Sequence, residues 1–141
     1  MIPLVTVDTN VLVSAGTISN TPPAQILDAW RIGRIELALS IPILQEVRAV
    51  LQRPYFVETS GWSKKKIDLF VSELQMGALV VGGNILVDVC RDPKDNMIFS
   101  CAVEASSNYI VSGDEDVLAV GNYRNIRVMS PRRFVDEILT T

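Results

Sequence analysis

Asp8 in VTVDTNVLVSA, Glu46 in PILQEVRAVL, Asp95 in RDPKDNMIF, and Asp114 and Asp116 in YIVSGDEDVL are five carboxylates placed where strands should end or helices begin. Around Asp8 and Asp114 the design repeats: a short apolar run that reads as a buried strand, then an acid. In open parallel α/β sheets, ligands bind at the carboxyl ends of the strands. Carboxylates gathered there repel one another unless something cationic sits among them. The chemistry that suits an all-oxygen donor set is a hard divalent metal, Mg²⁺ or Mn²⁺. The chain contains 0 histidines, which excludes histidine-based mechanisms.

Each acid also has a purely structural reading. Asp8 can cap a helix, with Thr9 and Asn10 beside it to orient the carboxylate or bind metal-held water. Glu46, between Leu44 and Val47 in a helix, reads on spacing alone as a solvated glutamate. In DPKD, Asp92 fits an N-cap, Pro93 the first helical position and Asp95 the third, where an acid complements the helix dipole. Asp95 would then project from the helix start toward the strand ends. One of Asp114 and Asp116 should cap a short helix, but two acids there exceed what capping needs, and Glu115 between them should face solvent.

The elements that must position these acids alternate. Strands are predicted at 3–7, 35–40, 108–112 and in IRVMS. Helices are predicted from Asn10, over AQILDAWRIG ending at Gly33, over IPILQEVRAVLQRP stopped by Pro54, over SKKKIDLFVSELQMGA with Ser63 as cap, from DPKDNMIF onward, over DEDVLAV and over PRRFVDEIL. YFVETSGW reads as a connection. ALVV and ILVDV read as strand-like runs split by Gly82 and Gly83, as an edge strand or a hairpin. This alternation predicts a three-layer α/β/α sandwich with a central, mainly parallel sheet.

At 141 residues the chain suits one domain, 1–141, with a substantial core. Its 48% hydrophobic content falls in short runs, as buried parallel strands require, and none approaches the roughly 20 residues of a membrane span. MIPLVTVDTN lacks a basic leader and reads as the first core strand of a cytoplasmic protein with no membrane partner. Cys90 and Cys101 are too few for a disulfide scaffold and, without histidine, cannot complete a zinc site. Net charge is −3, which argues weakly against nucleic acid. Metal ions on the acids would cancel much of that charge, and basic clusters stand at Lys64, Lys65 and Lys66, at Arg132 and Arg133, and at Arg31 and Arg34.

VDTNVLVSA, SIPILQEVRAVLQRP, RDPKDNMIFSCAVEASSNYIVSGDEDVL and IRVMSPRRFV together resemble the PIN-domain ribonucleases, and within them the bacterial branch akin to the VapC-type toxins. The resemblance runs from Val5 to about Phe134. It implies a PIN-like fold and metal-dependent endonucleolytic cleavage of RNA, leaving 5′-phosphate and 3′-hydroxyl ends. Position by position it implies catalytic roles for Asp8, Glu46, Asp95, Asp114 and Asp116, with Asp92 the near competitor of Asp95. Asp8, Asp95, Asp114 and Asp116 would ligate Mg²⁺ or Mn²⁺, supported by Thr9, Asn10 and Ser112. It also implies a cognate antitoxin as partner and a homodimer as a common assembly. Other classes fit less well. A phosphatase of the haloacid dehalogenase type needs an aspartate where Asn10 stands, and a response-regulator receiver needs a lysine late in the sheet. A non-catalytic binding module, whose acids contact a basic peptide, remains the alternative to a nuclease.

Overall fold

The computed structural model describes residues 1–140. One six-stranded sheet has the order β3-β2-β1-β4-β6-β5. Its strands are β1 (Leu4–Val7), β2 (Glu36–Ser40), β3 (Leu79–Val81), β4 (Tyr109–Val111), β5 (Asn122–Tyr123) and β6 (Ile126–Met129). All pairings are parallel except β5 with β6. The helices are α1 (Thr9–Thr17), α2 (Pro22–Arg31), α3 (Ile41–Leu51), α4 (Pro54–Ser60), α5 (Lys64–Gly77), α6 (Asn96–Ala105), α7 (Glu115–Leu118) and α8 (Pro131–Phe134). A π-helical turn, Val135–Leu139, continues α8.

Strand alternation sorts the layers. Val5, Val7 and Leu37 point to one face and join the larger core, with Ile26 and Leu27 of α2 and Val11 and Leu12 of α1. Thr6 points to the other face, where its Oγ1 lies 3.8 Å from Cys101 Sγ of α6. Ile110 and Val128 join Phe99 and Ala102 of α6 in a second, smaller core. Helices therefore cover the sheet on both faces, the expected three-layer α/β/α sandwich. Burial on both faces explains why these strands read as continuous apolar runs.

The helices start where short polar residues can take over unpaired N–H groups. Ser40 caps α3 by accepting from the Ile43 N–H at 3.3 Å, and Ser130 caps α8 by accepting from the Arg133 N–H at 3.2 Å. The same job falls to Thr21 at α2 and Ser63 at α5.

Three local readings change and one element is added. YFVETS lies in a short helix, α4, rather than a connection, because Pro54, which follows the end of α3, also occupies the first turn of a new helix, where its fixed φ favours a start. Of the two runs around Gly82 and Gly83, Leu79–Val81 is an edge strand, one of the two readings, while residues 84–89 carry no regular structure and no hairpin forms there. The long helix begins at Asn96, not within DPKD. A turn precedes it, closed by Asp95 N–H to Asp92 O at 3.0 Å and Asn96 N–H to Pro93 O at 3.2 Å. Asn122–Tyr123 adds an antiparallel edge strand, joined to β6 through Arg124 and Asn125, both at positive φ (50° and 65°) as a tight hairpin turn requires.

Candidate metal centre

The sheet reverses direction between β1 and β4: β2 and β3 extend it one way, β6 and β5 the other. That switch point is where a crevice opens at the strand ends. Asp8 follows β1 and Ser112 to Asp116 follow β4, on strands in direct register, Val7 opposite Val111. The crevice is thus lined by the acids that follow the two central strands. A surface hollow lined by Met1, Pro3, Arg34, Asn108 and Leu139 lies at the opposite ends of the strands and contains no such cluster.

Strand ends that need only a cap use serine, as at Ser40 and Ser130. The two central ones use aspartate. Asp8 accepts from the Thr9 N–H with Oδ1 at 2.8 Å and from the Ser112 hydroxyl with Oδ2 at 2.7 Å. Asp114 is the acid that caps α7: its Oδ1 accepts from the Asp116 and Val117 N–H groups at 2.8 and 3.2 Å. Its own N–H donates to Ser112 Oγ at 3.0 Å. One buried serine therefore ties the two strand-end acids together.

Carboxylate oxygens of Asp95, Asp114 and Asp116 all lie within 4.8 Å of one another. Asp95 holds the N-cap position of α6 but makes no capping hydrogen bond, so its carboxylate is not spent on the helix. Asp92 is exposed and accepts from the Lys94 N–H at 3.0 Å, which closes the preceding turn. Asp92 is not in the three-acid group. Asp8 and Glu46 are outside it too, yet both belong to the same field. Burial pushes the Asp8 carboxyl above its ordinary value, the Ser112 and Thr9 hydrogen bonds pull it back, and the charges of Glu46 and Asp114 raise it again. Asp95 is raised by burial and then by Asp114, Asp92, Asp8 and Asp116. The charge of Glu46, on α3, thus acts on Asp8. Thr9 is buried, and its Oγ1 is the buried side-chain oxygen without a hydrogen-bond partner among the described residues. Asn10 and Glu115 are exposed.

The donor set suits a hard cation: oxygens only, several charges, partial exposure to admit waters. Mutual repulsion within a few ångströms is unfavourable for the naked acids, and a divalent ion offsets it. Two arginines of the sequence's basic clusters are engaged elsewhere. Arg31 is bound to Glu73 through two hydrogen bonds of 2.7 and 2.8 Å, and Arg133 pairs with Glu137. The cation beside the acids is Arg91, whose Nη2 lies 3.9 Å from Asp116 Oδ1 while its side chain remains 93% exposed. Nothing in its spacing marked it out, because the segment before it follows no regular period.

A PIN-domain family model matches residues 4–116, most of the chain. The chain belongs to the PIN-domain family. Among curated proteins, an uncharacterized protein of Methanocaldococcus jannaschii is 27% identical over 141 aligned positions, covering 94% of this chain and 90% of that one. Among solved structures, the fold is similar to VapBC2 from Rickettsia felis bound to a DNA fragment from its promoter. The TM-score is 0.55 at 14% identity, covering 90% of this chain and 98% of that one. It is also similar to VapC20 of Mycobacterium tuberculosis, a sarcin-ricin-loop-cleaving toxin, with a TM-score of 0.56 at 13% identity, covering 87% and 98%. These likenesses establish a PIN-like fold with the sheet and helices described above. No helix among the described residues is long and apolar enough to cross a membrane.

Proposed function

We propose that this PIN domain is an Mg²⁺- or Mn²⁺-dependent endoribonuclease, a single domain over residues 1–141 that acts in the cytoplasm as the toxin of a toxin–antitoxin pair. The observation that carries the reading is the convergence of Asp95, Asp114 and Asp116 at the β1–β4 switch point, with Asp8 tied to Asp114 through Ser112. The toxin role draws on the named activities of the structural neighbours, one a toxin that cleaves the sarcin-ricin loop and one solved with its VapB partner.

Asp95, Asp114 and Asp116 would hold the ion, with Asp8 completing the set and Glu46 acting through water. When bound, the ion would supply Lewis-acid polarisation of a phosphate and a lowered pKa for a bound water. The protein's own part is positional. Ser112 fixes the Asp8 carboxylate, and the α7 cap fixes Asp114. Without histidine, a carboxylate is the chain's candidate to take the proton of an attacking water. Arg91 and exposed Lys94 stand where a substrate phosphate would approach. Single-stranded or looped RNA suits an open acidic crevice with cations on its rim.

The test is cleavage of labelled RNA by purified protein with Mn²⁺, with EDTA, and by an Asp95→Asn variant. Cleavage should require metal and fall by orders of magnitude in the variant. Equal degradation by both proteins sinks the nuclease and leaves the binding-module alternative.

A further inference from the structure

Glu104 lies on α6, nine residues beyond Asp95 and outside the acidic cluster. Its carboxylate accepts from three successive backbone N–H groups, those of Gly83 at 2.9 Å, Asn84 at 3.1 Å and Gly82 at 3.3 Å. One turn nearer the helix start, the Ser100 hydroxyl donates to the carbonyl of Ile85. One turn nearer still, Asn96 Oδ1 accepts from the N–H groups of Val89 and Cys90 at 2.9 and 2.8 Å, and its Nδ2 approaches Cys90 O at 3.5 Å. Spaced four apart, Asn96, Ser100 and Glu104 share one face of the helix. Opposite them, residues 82–89 form a strap without regular structure. Its backbone polar groups find side chains of α6 where a strand would find a ladder.

The strap runs antiparallel to α6 and delivers the chain to Arg91 and to the turn that carries Asp95. Apolar contacts hold it as well, since Val87, Val89 and Cys90 rest against the smaller core. Such contacts are non-directional and do not fix register. Hydrogen bonds do, and so does the crossing at Gly83. There φ is +81°, and a Cβ would stand 2.7 Å from Pro42 Cδ.

We propose that Asn96, Ser100 and Glu104 form a positioning ladder. It sets the register of the strap on α6 and thereby holds the Asp92–Asp95 turn that presents Asp95 to Asp114 and Asp116. The inference rests on reading that cluster as a metal site. Glu104 is its informative rung, because nine residues of helix at about 1.5 Å each separate it from the cluster by roughly 13 Å.

The experiment compares wild type, Glu104→Gln and Glu104→Ala by amide hydrogen exchange of the metal-free proteins and by Mn²⁺ titration. In Glu104→Ala, exchange should quicken beyond Gly82 to Asn84, reaching the amides of Val89, Cys90 and Asp95, and the Kd for Mn²⁺ should rise about tenfold. Glu104→Gln keeps one acceptor oxygen and should recover part of both. Loosening that stops at Asn84, or an Mn²⁺ Kd equal in all three proteins, overturns the proposal. A wild type that leaves RNA intact while the Mn²⁺ difference persists sinks the nuclease reading and supports the ladder.

Discussion

Ser112 donates its hydroxyl to Asp8 Oδ2 at 2.7 Å across the β1–β4 seam, although the two residues lie 104 positions apart in the chain. Ser112 Oγ in turn accepts from the Asp114 N–H at 3.0 Å. Ser112 is fully buried, so neither bond competes freely with water. The pair makes the geometry of one strand-end acid depend on the other.

Ser112→Ala tests that dependence. The variant leaves Asp8 half-buried without its hydroxyl donor, and loss of a hydrogen bond to a charged group costs about 1.5–3 kcal/mol. The Asp8 carboxyl should move further above its ordinary value, since the Ser112 bond is the largest influence pulling it down. Chemical denaturation should show the stability loss, and RNA cleavage at neutral pH should fall. Unchanged cleavage would mean that Asp8 is held in place by the Thr9 N–H alone.

Asp92 and Asp95 should separate cleanly. Asp92 accepts one turn hydrogen bond at an exposed position, so Asp92→Ala should cost about 1 kcal/mol or less and leave Mn²⁺ affinity nearly intact. Asp95 caps nothing and sits with Asp114 and Asp116, so Asp95→Ala should abolish most Mn²⁺ binding at little cost to the fold. Calorimetric titration of both decides, and a larger loss in Asp92→Ala exchanges their roles.

The same two residues show what was legible in the sequence. DPKD announces a helix start, and either acid satisfies the capping pattern. Only the turn hydrogen bonds, which delay the helix to Asn96, show which carboxylate is left uncommitted. Strands β1, β2, β4 and β6 were legible because their apolar residues are buried on both faces of the sheet. ILVDV was not, since Val87 and Val89 do reach a core while the Ile85 carbonyl and the Val89 N–H pair with side chains of α6 rather than with a strand. Glu104, some 20 residues from its three donors, has no local signature at all. Pro54 misled for a simpler reason: proline both ends one helix and begins the next.

Arg91 should act on substrate more than on the ion. Its guanidinium stays exposed and touches Asp116 only at 3.9 Å, so the pair contributes little to stability. Arg91→Ala should leave the melting temperature within about a degree or two, the scale of a small surface change. It should raise KM for RNA and flatten its salt dependence, as loss of one phosphate contact does. An unchanged KM across salt concentrations would place the RNA elsewhere.

Stability of the metal-free protein should improve on acidification. Asp8 and Asp95 both have folded-state pKa values raised, first by burial and then by neighbouring carboxylates. A raised acid binds its proton more tightly in the folded state. Its favourable contribution is therefore complete below the unfolded pKa of roughly 4 and is lost as pH rises through the folded value. Neutralising Asp8 should reproduce the effect without acid. Asp8→Asn keeps an oxygen for the Thr9 N–H and an amide that can meet the Ser112 oxygen, so the α1 start survives. In EDTA it should melt above wild type, where about 1 kcal/mol corresponds to roughly 3 °C for a chain of this size. With Mn²⁺ the order should reverse, because an ion that binds the native state raises the wild-type melting temperature and raises the variant's much less. Thermal melts of both proteins, in EDTA and in Mn²⁺, at pH values on either side of the raised pKa, test every step. Equal metal-induced shifts in the two proteins would remove Asp8 from the site.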